Sequence, residues 1–220
     1  MSDDPLIRVR GETVLQVEPE IAELTVHLQA RDMDRRRTLD RLSARNQQCL
    51  DLIKTYGEAV ERLETTGLVV QPVMRERRRD EKVHRYQGTV RIHVTLTDFG
   101  VLGELVTRLG DLELTAVQGP TWALRPDSPV YRRARHQAAR EAVGRAREYA
   151  EALGCRLTGL VELADEGLTT HPQREGYALA AAGDLMRAQS APEPIDLEPE
   201  TQTVRAAVEA SFTATAPDDL

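Results

Sequence analysis

The sequence predicts an α+β fold, an antiparallel-rich sheet packed against two long helices, in one domain spanning residues 1–220. Three observations carry this. Residues 22–30, 90–96 and 204–212 alternate apolar and polar with period two, as half-buried strands do. Two other stretches, 34–56 and 129–153, repeat near 3.6 residues instead. A chain of 220 residues is also long enough to bury one substantial core.

Leu6–Arg10 and Val14–Val17 read as two short strands about a bend or bulge at Gly11, the second ending near Pro19. Ala22, Leu24, Val26, Leu28 and Ala30 then share one face of a strand, with Glu23, Thr25, His27 and Gln29 on the other. From Asp34 to Tyr56, Leu39, Leu42, Cys49, Ile53 and Tyr56 form the apolar stripe of a long helix, and Gly57 stands where a C-cap belongs. Arg62–Val73 and Tyr86–Thr97 read as a hairpin, its second strand turning Val90, Ile92, Val94 and Leu96 inward and its tip, Arg75–Lys82, projecting into solvent. Asp98 is the N-cap of a short helix through Leu102, Leu105, Val106 and Leu109, stopped by Gly110.

A strand over Glu113–Leu124 leads to the second long helix after Ser128-Pro129. Its predicted interior face is Ala134, Ala138, Ala142, Ala146, Tyr149 and Leu153, small enough for close approach to a neighbour, with Gly154 at the C-cap. Leu157–Leu163 is the next strand. Glu166–Glu200 has no sustained period and carries Pro192, Pro194 and Pro199. It is expected to be a long loop, mobile in the isolated subunit and ordered only against another subunit or a partner. A final strand, Val204–Phe212, returns the chain to the sheet. The two strand–helix–strand runs, Glu20–Val73 and Glu113–Leu163, hint at an internal duplication.

Composition narrows the function classes. Hydrophobic residues are 40% of the chain and charged residues 30%, a globular balance. No apolar run approaches the roughly 20 residues that a membrane helix needs. The start, Met1-Ser2-Asp3-Asp4-Pro5, is acidic where a signal peptide is basic, so a cytoplasmic protein is expected. Cys49 and Cys155 lie far apart with no partner at metal-ligand spacing, which fits a reducing compartment and excludes a zinc ribbon. The net charge of -7 does not support a general nucleic-acid footprint, and the 27 Arg against 2 Lys look like genomic base composition.

The residues resemble the SIMPL-domain family, long catalogued as a domain of unknown function, whose members include bacterial periplasmic immunogenic proteins and an animal protein that binds an interleukin-receptor-associated kinase. Val9-Arg10-Gly11 followed by Val17-Glu18-Pro19-Glu20-Ile21-Ala22 is similar to the family's opening strand, glycine, strand and Pro-acid-x-Ala pattern. Tyr86-Gln87-Gly88-Thr89-Val90 through Asp98-Phe99-Gly100-Val101-Leu102 resembles its aromatic-led strand running into a short helix. Ala134 to Gly154, then Leu157 to Leu163, looks like its Ala-rich helix, glycine stop and following strand, and Pro194-Ile195 before the last strand also fits. The chain departs from the pattern at Leu197-Glu198-Pro199, where a Pro-Gly turn is usual. The resemblance implies an α+β fold and homo-oligomeric assembly, and it brings no catalytic residues with it.

Candidate chemistry is sparse. His27 and His93 sit on the polar faces of two strands and would approach if those strands paired, but no third metal ligand is identified. Ser43, Ser128, Ser190 and Ser211 lack a nucleophile elbow, Cys49 lies on an apolar stripe as a buried inert thiol would, and Gly100-x-x-Gly103 lacks the Lys of a phosphate loop. No catalytic, metal or cofactor residue is therefore assigned and no cofactor expected. The expected partners are a second copy of the chain and other proteins, with no membrane, and nucleic acid ranks below them. The expected surface comprises Arg75, Arg77, Arg78, Arg79 and Lys82 of the hairpin tip, where interleaved acids weaken the positive field, and Trp122 as a core or interface anchor. A small-molecule enzyme and a weak nucleic-acid binder are the competing classes.

Overall fold

The structure, a computed structural model, describes residues 4–74, 83–165 and 195–217. In chain order it contains β1 (Leu6–Val17), β2 (Ile21–Asp32), α1 (Arg35–Lys54), β3 (Val60–Met74), β4 (Val83–Leu96), α2 (Leu102–Gly110), β5 (Thr115–Ala123), α3 (Pro129–Ala152), β6 (Leu157–Asp165) and β7 (Gln202–Ala214). The fold is α+β and every strand pairing is antiparallel, as the alternating pattern requires. The strands nevertheless divide into two sheets, ordered β1-β7-β6 and β3-β4-β2-β5. The chain accordingly forms two compact units, one holding β1, α3, β6 and β7, the other holding β2 to β5, α1, α2 and residues 195–200. The second strand–helix–strand run is thus shared out: β5 belongs to the four-stranded sheet, α3 and β6 to the other unit.

In the three-stranded unit, Ile7 lies opposite Phe212, Val9 opposite Ala210 and Gly11 opposite Val208. That register puts the apolar residues of β1 and β7 on one face, where they pack against Ala138, Ala142 and Ala146 of α3. The whole series Ala134, Ala138, Ala142, Ala146 and Ala150 is buried, a ridge advancing in steps of four. Tyr149 and Leu153, predicted on this face, are exposed instead, because the ridge steps from Ala146 to Ala150 and leaves them on its flank. Gly11 makes no bend, and the pairing runs through it without a shift. A Cβ at Gly11 would stand 2.2 Å from the Ala138 carbonyl oxygen and 2.5 Å from the Ala142 nitrogen, so the glycine lets the helix backbone lie directly on the strand. Ser128 accepts a hydrogen bond from the Val130 N–H (3.3 Å) and Pro129 occupies the first turn, which starts α3 where the sequence predicts.

In the four-stranded unit, Ala22 to Ala30 of β2 and Val90 to Leu96 of β4 interleave beneath Leu42, Cys49 and Ile53 of α1 and Leu102, Leu105 and Leu109 of α2. Asp34 caps α1 by accepting from the Arg37 N–H at 2.9 Å, and Asp98 caps the turn before α2 by accepting from the Gly100 N–H at 2.9 Å. Thr38, not Leu39, fills the first inward position of α1. Its methyl group and Leu42 fit over Gly88, where a Cβ would come within 2.9 Å of Leu42. No described helix is long and apolar enough to cross a membrane.

Candidate interaction surface

The strand β3 forms one edge of the four-stranded sheet. From Gly67 to Val73 it pairs with β4 in unbroken register, Gly67 opposite Arg91 and Val73 opposite Arg85, between bulges at either end. An edge strand of this kind has only one side of its backbone satisfied by a neighbour. Its side chains are apolar for the position: Leu68 is 61% exposed and Val69 56% exposed. Pro72, which donates no hydrogen bond, is tolerated because the strand is at the edge. On the other sheet, β6 is also an edge and exposes Leu160, Val161 and Leu163, although two register shifts interrupt it. The edge at β1 is partly closed, since the Glu12 N–H donates to the Glu141 carboxylate of α3 at 3.0 Å.

A second feature is electrostatic. Arg132, His136 and Arg140 of α3 each precede a buried alanine by two residues, placing them about 200° around the helix from the ridge that meets the sheet. Together with Arg133 and Arg135 they make an exposed basic face, and no acidic residue occurs from Ser128 through Arg140. Some arginines elsewhere are paired, Arg45 with Glu113 (2.8 Å), Arg108 with Glu104 (3.2 Å), Arg125 with Glu61, and Arg145 with Glu141 (2.6 Å), while others, Arg35 and Arg36 at the start of α1 among them, have no ion pair among the described residues. The five basic side chains of this face have no ion pair among the described residues.

The third feature is acidic. Residues 195–200 cross α2 at Gly103, where a Cβ would lie 2.2 Å from the Ile195 carbonyl oxygen, and Leu197 packs partly buried against the core of the four-stranded unit. Asp196 and Glu198, on either side of Leu197, are exposed.

The residues singled out from sequence fare unevenly. Arg75, Arg77, Arg78, Arg79 and Lys82 lie outside the described residues, as does the stretch 166–194 of the expected long loop. Trp122 pairs across from Ala22 and meets Phe99 edge to face, ring centroids 4.8 Å apart, at one end of the core. His27 and His93 do come onto one sheet face as diagonal neighbours, since Thr25 is opposite His93 and His27 is opposite Arg91. His93 Nε2 stands 3.7 Å from Glu23 Oε1, and no group of three potential metal ligands forms among the described residues. Burial pushes the Cys49 thiol up to about 11, which disfavours the reactive thiolate. The β3 edge and the α3 face are not among the surfaces expected from sequence. Pro72 inside an otherwise regular strand pattern is the signal for the first, and the acid-free run after Ser128 is the signal for the second.

Two antiparallel sheets, each with a long helix on one face, define an α+β protein whose distinctive described features are open edges and charged faces rather than an enclosed pocket. The family model for SIMPL, described as a protein of unknown function (DUF541), matches residues 7–212. The chain belongs to the SIMPL family. No curated protein matches it closely enough to count as a relative.

Proposed function

We propose that this SIMPL-family chain is a cytoplasmic homo-oligomer that works by assembly and protein interaction rather than by catalysis. The observation that carries the reading is the β3 edge, seven residues in regular register with Leu68 and Val69 facing solvent. A partner strand added there would satisfy the open backbone groups and flank Leu68 on one face and Val69 on the other, each contributing a part of the roughly 1.5–3 kcal/mol that full burial of such a side chain is worth. Association costs on the order of 4–15 kcal/mol in lost freedom, so one strand edge needs help from a second surface. Cys49 and Cys155 are both free and buried, which fits a reducing compartment.

Light scattering behind a sizing column tests this. Assembly predicts a mass that is a multiple of 24.6 kDa and that holds on dilution. A monomer throughout the accessible concentration range would overturn it.

A further inference from the structure

We propose that the basic face of α3 docks the acidic segment 196–198 of a second copy, Asp196 and Glu198 of one chain meeting Arg132, His136 and Arg140 of the next. This rests on the assembly reading above and names a surface for it.

Three observations converge. First, the face is an expense to the fold. Arg132, in the first turn, opposes the positive end of the helix dipole, no acid occurs from Ser128 through Arg140, and Arg132, Arg133, Arg135 and Arg140 have no carboxylate partner among the described residues. In a chain of net charge -7 the four neighbouring arginines form a local basic patch, complementary to an acidic surface of the same chain. Second, the acidic segment is held in place. The contact of Ile195 with Gly103 and the seating of Leu197 fix the backbone, so Asp196 and Glu198 are presented outward without ion pairs of their own among the described residues. Third, the spacings agree. Carboxylates two residues apart on an extended segment stand about 7 Å apart, and side chains four apart on a helix stand about 6 Å apart along its axis. Two carboxylates therefore span one turn of the ridge, one meeting Arg132 or Arg140 while the other lies beside His136.

The occupant is a second copy rather than a nucleic acid. The chain's net negative charge repels a polyanion. Each copy carries both a ridge and an acidic segment, so the contact is satisfied either reciprocally across a two-fold axis or head to tail from one copy to the next.

The test is reciprocal charge reversal in the full-length protein, followed by sedimentation and light scattering in low salt and in about 0.5 M salt, where exposed charges are screened beyond about 4 Å. Arg132→Glu with Arg140→Glu is expected to raise the concentration for half-assembly by about tenfold or more. Asp196→Lys with Glu198→Lys is expected to do the same, and the four substitutions together should return it to within a few fold of the parent. Arg147→Glu, farther along α3, should change nothing. Folding does not confound the result: Arg132→Glu puts an acid in the first turn of α3, which favours the helix dipole, and Arg140→Glu alters an exposed mid-helix position, so the melting temperature of the ridge variant should stay close to the parent's.

Assembly that is indifferent to both reversals, or a fourfold variant that stays dissociated, would overturn the docking while leaving the assembly reading intact. A parent protein that is monomeric at every concentration would overturn both. If the ridge reversal abolishes retention of RNA or DNA in a gel-shift assay without altering assembly, the ridge belongs to a nucleic acid and the proposal is wrong.

Discussion

At Gly11 the difference between a hydrogen atom and a methyl group decides whether α3 can rest on β1. The neighbours of an added Cβ are the Ala138 carbonyl oxygen, the Ala142 nitrogen and the Ala142 Cβ, none of which can rotate out of the way. Gly11→Ala is expected to cost about 3 kcal/mol or more, read as a lowered urea midpoint or as failure to fold. Gly144, inside the same helix, has open space where a Cβ would stand. Gly144→Ala should therefore stabilise by about 0.5–1 kcal/mol, the ordinary gain of alanine over glycine in a helix. Cys49 gives a pH dependence. With its thiol raised from 9.0 to about 11 by burial, the folded state stays neutral where the unfolded chain begins to ionise. This contribution is complete below pH 9 and is lost as pH climbs through 11, amounting to roughly 2–3 kcal/mol at the limit. Urea titrations between neutral and alkaline pH should show a shallower decline for Cys49→Val than for the parent, and identical slopes would contradict the assignment.

The edge strand sets the expectation at the scale of elements. Val69→Lys places a charge on an exposed position of β3, so monomer stability should change by no more than about 0.5 kcal/mol while assembly weakens, the device by which natural edges refuse a neighbour. A drop in denaturation midpoint as large as the drop in association would show instead that Val69 supports its own unit. The elements themselves are largely legible in the sequence. Strict alternation exposes β2, β4 and β7, and Asp34, Asp98 and Ser128 mark where helices start because each offers an oxygen to an unpaired backbone N–H. Two placements differ from expectation for the same reason. A 3.6-residue stripe is wide enough to admit Leu39 or Thr38, and Tyr149 or Ala150, and only the contacting surface chooses between them. The bend expected at Gly11 is absent because a glycine in a strand serves either a bend or a close approach, and the helix that approaches it begins more than a hundred residues later.

At the scale of the whole molecule, alternation tells which way a side chain faces but not which strand lies beside it, so the sequence suggests one sheet where there are two. The interaction surfaces are less legible still, because an edge exists only once the order of strands is known. The single tryptophan, Trp122, sits in the four-stranded unit and reports on that unit alone. That unit carries its own core of buried leucines, valines and isoleucines. A chain stopped before Gln202 is therefore expected to keep the emission of a partly buried Trp122 while its strand signal in circular dichroism falls. Emission shifted to that of an unfolded chain would show that the four-stranded unit cannot stand without β7.

The position of β7 has a consequence in time. It is the central strand of its sheet and the last in the chain, while its neighbour β1 is the first. At roughly 5–20 residues per second of synthesis, β1 leaves the ribosome some 10–40 s before any strand exists that can pair with it. Through that interval Ile7 and Val9 have no sheet to enter, whereas β3 and β4 are complete before its second half begins. A nascent chain can thus offer its β3 edge to a neighbour before its three-stranded sheet has formed, and the rate of translation joins the sequence in deciding which contact is made first.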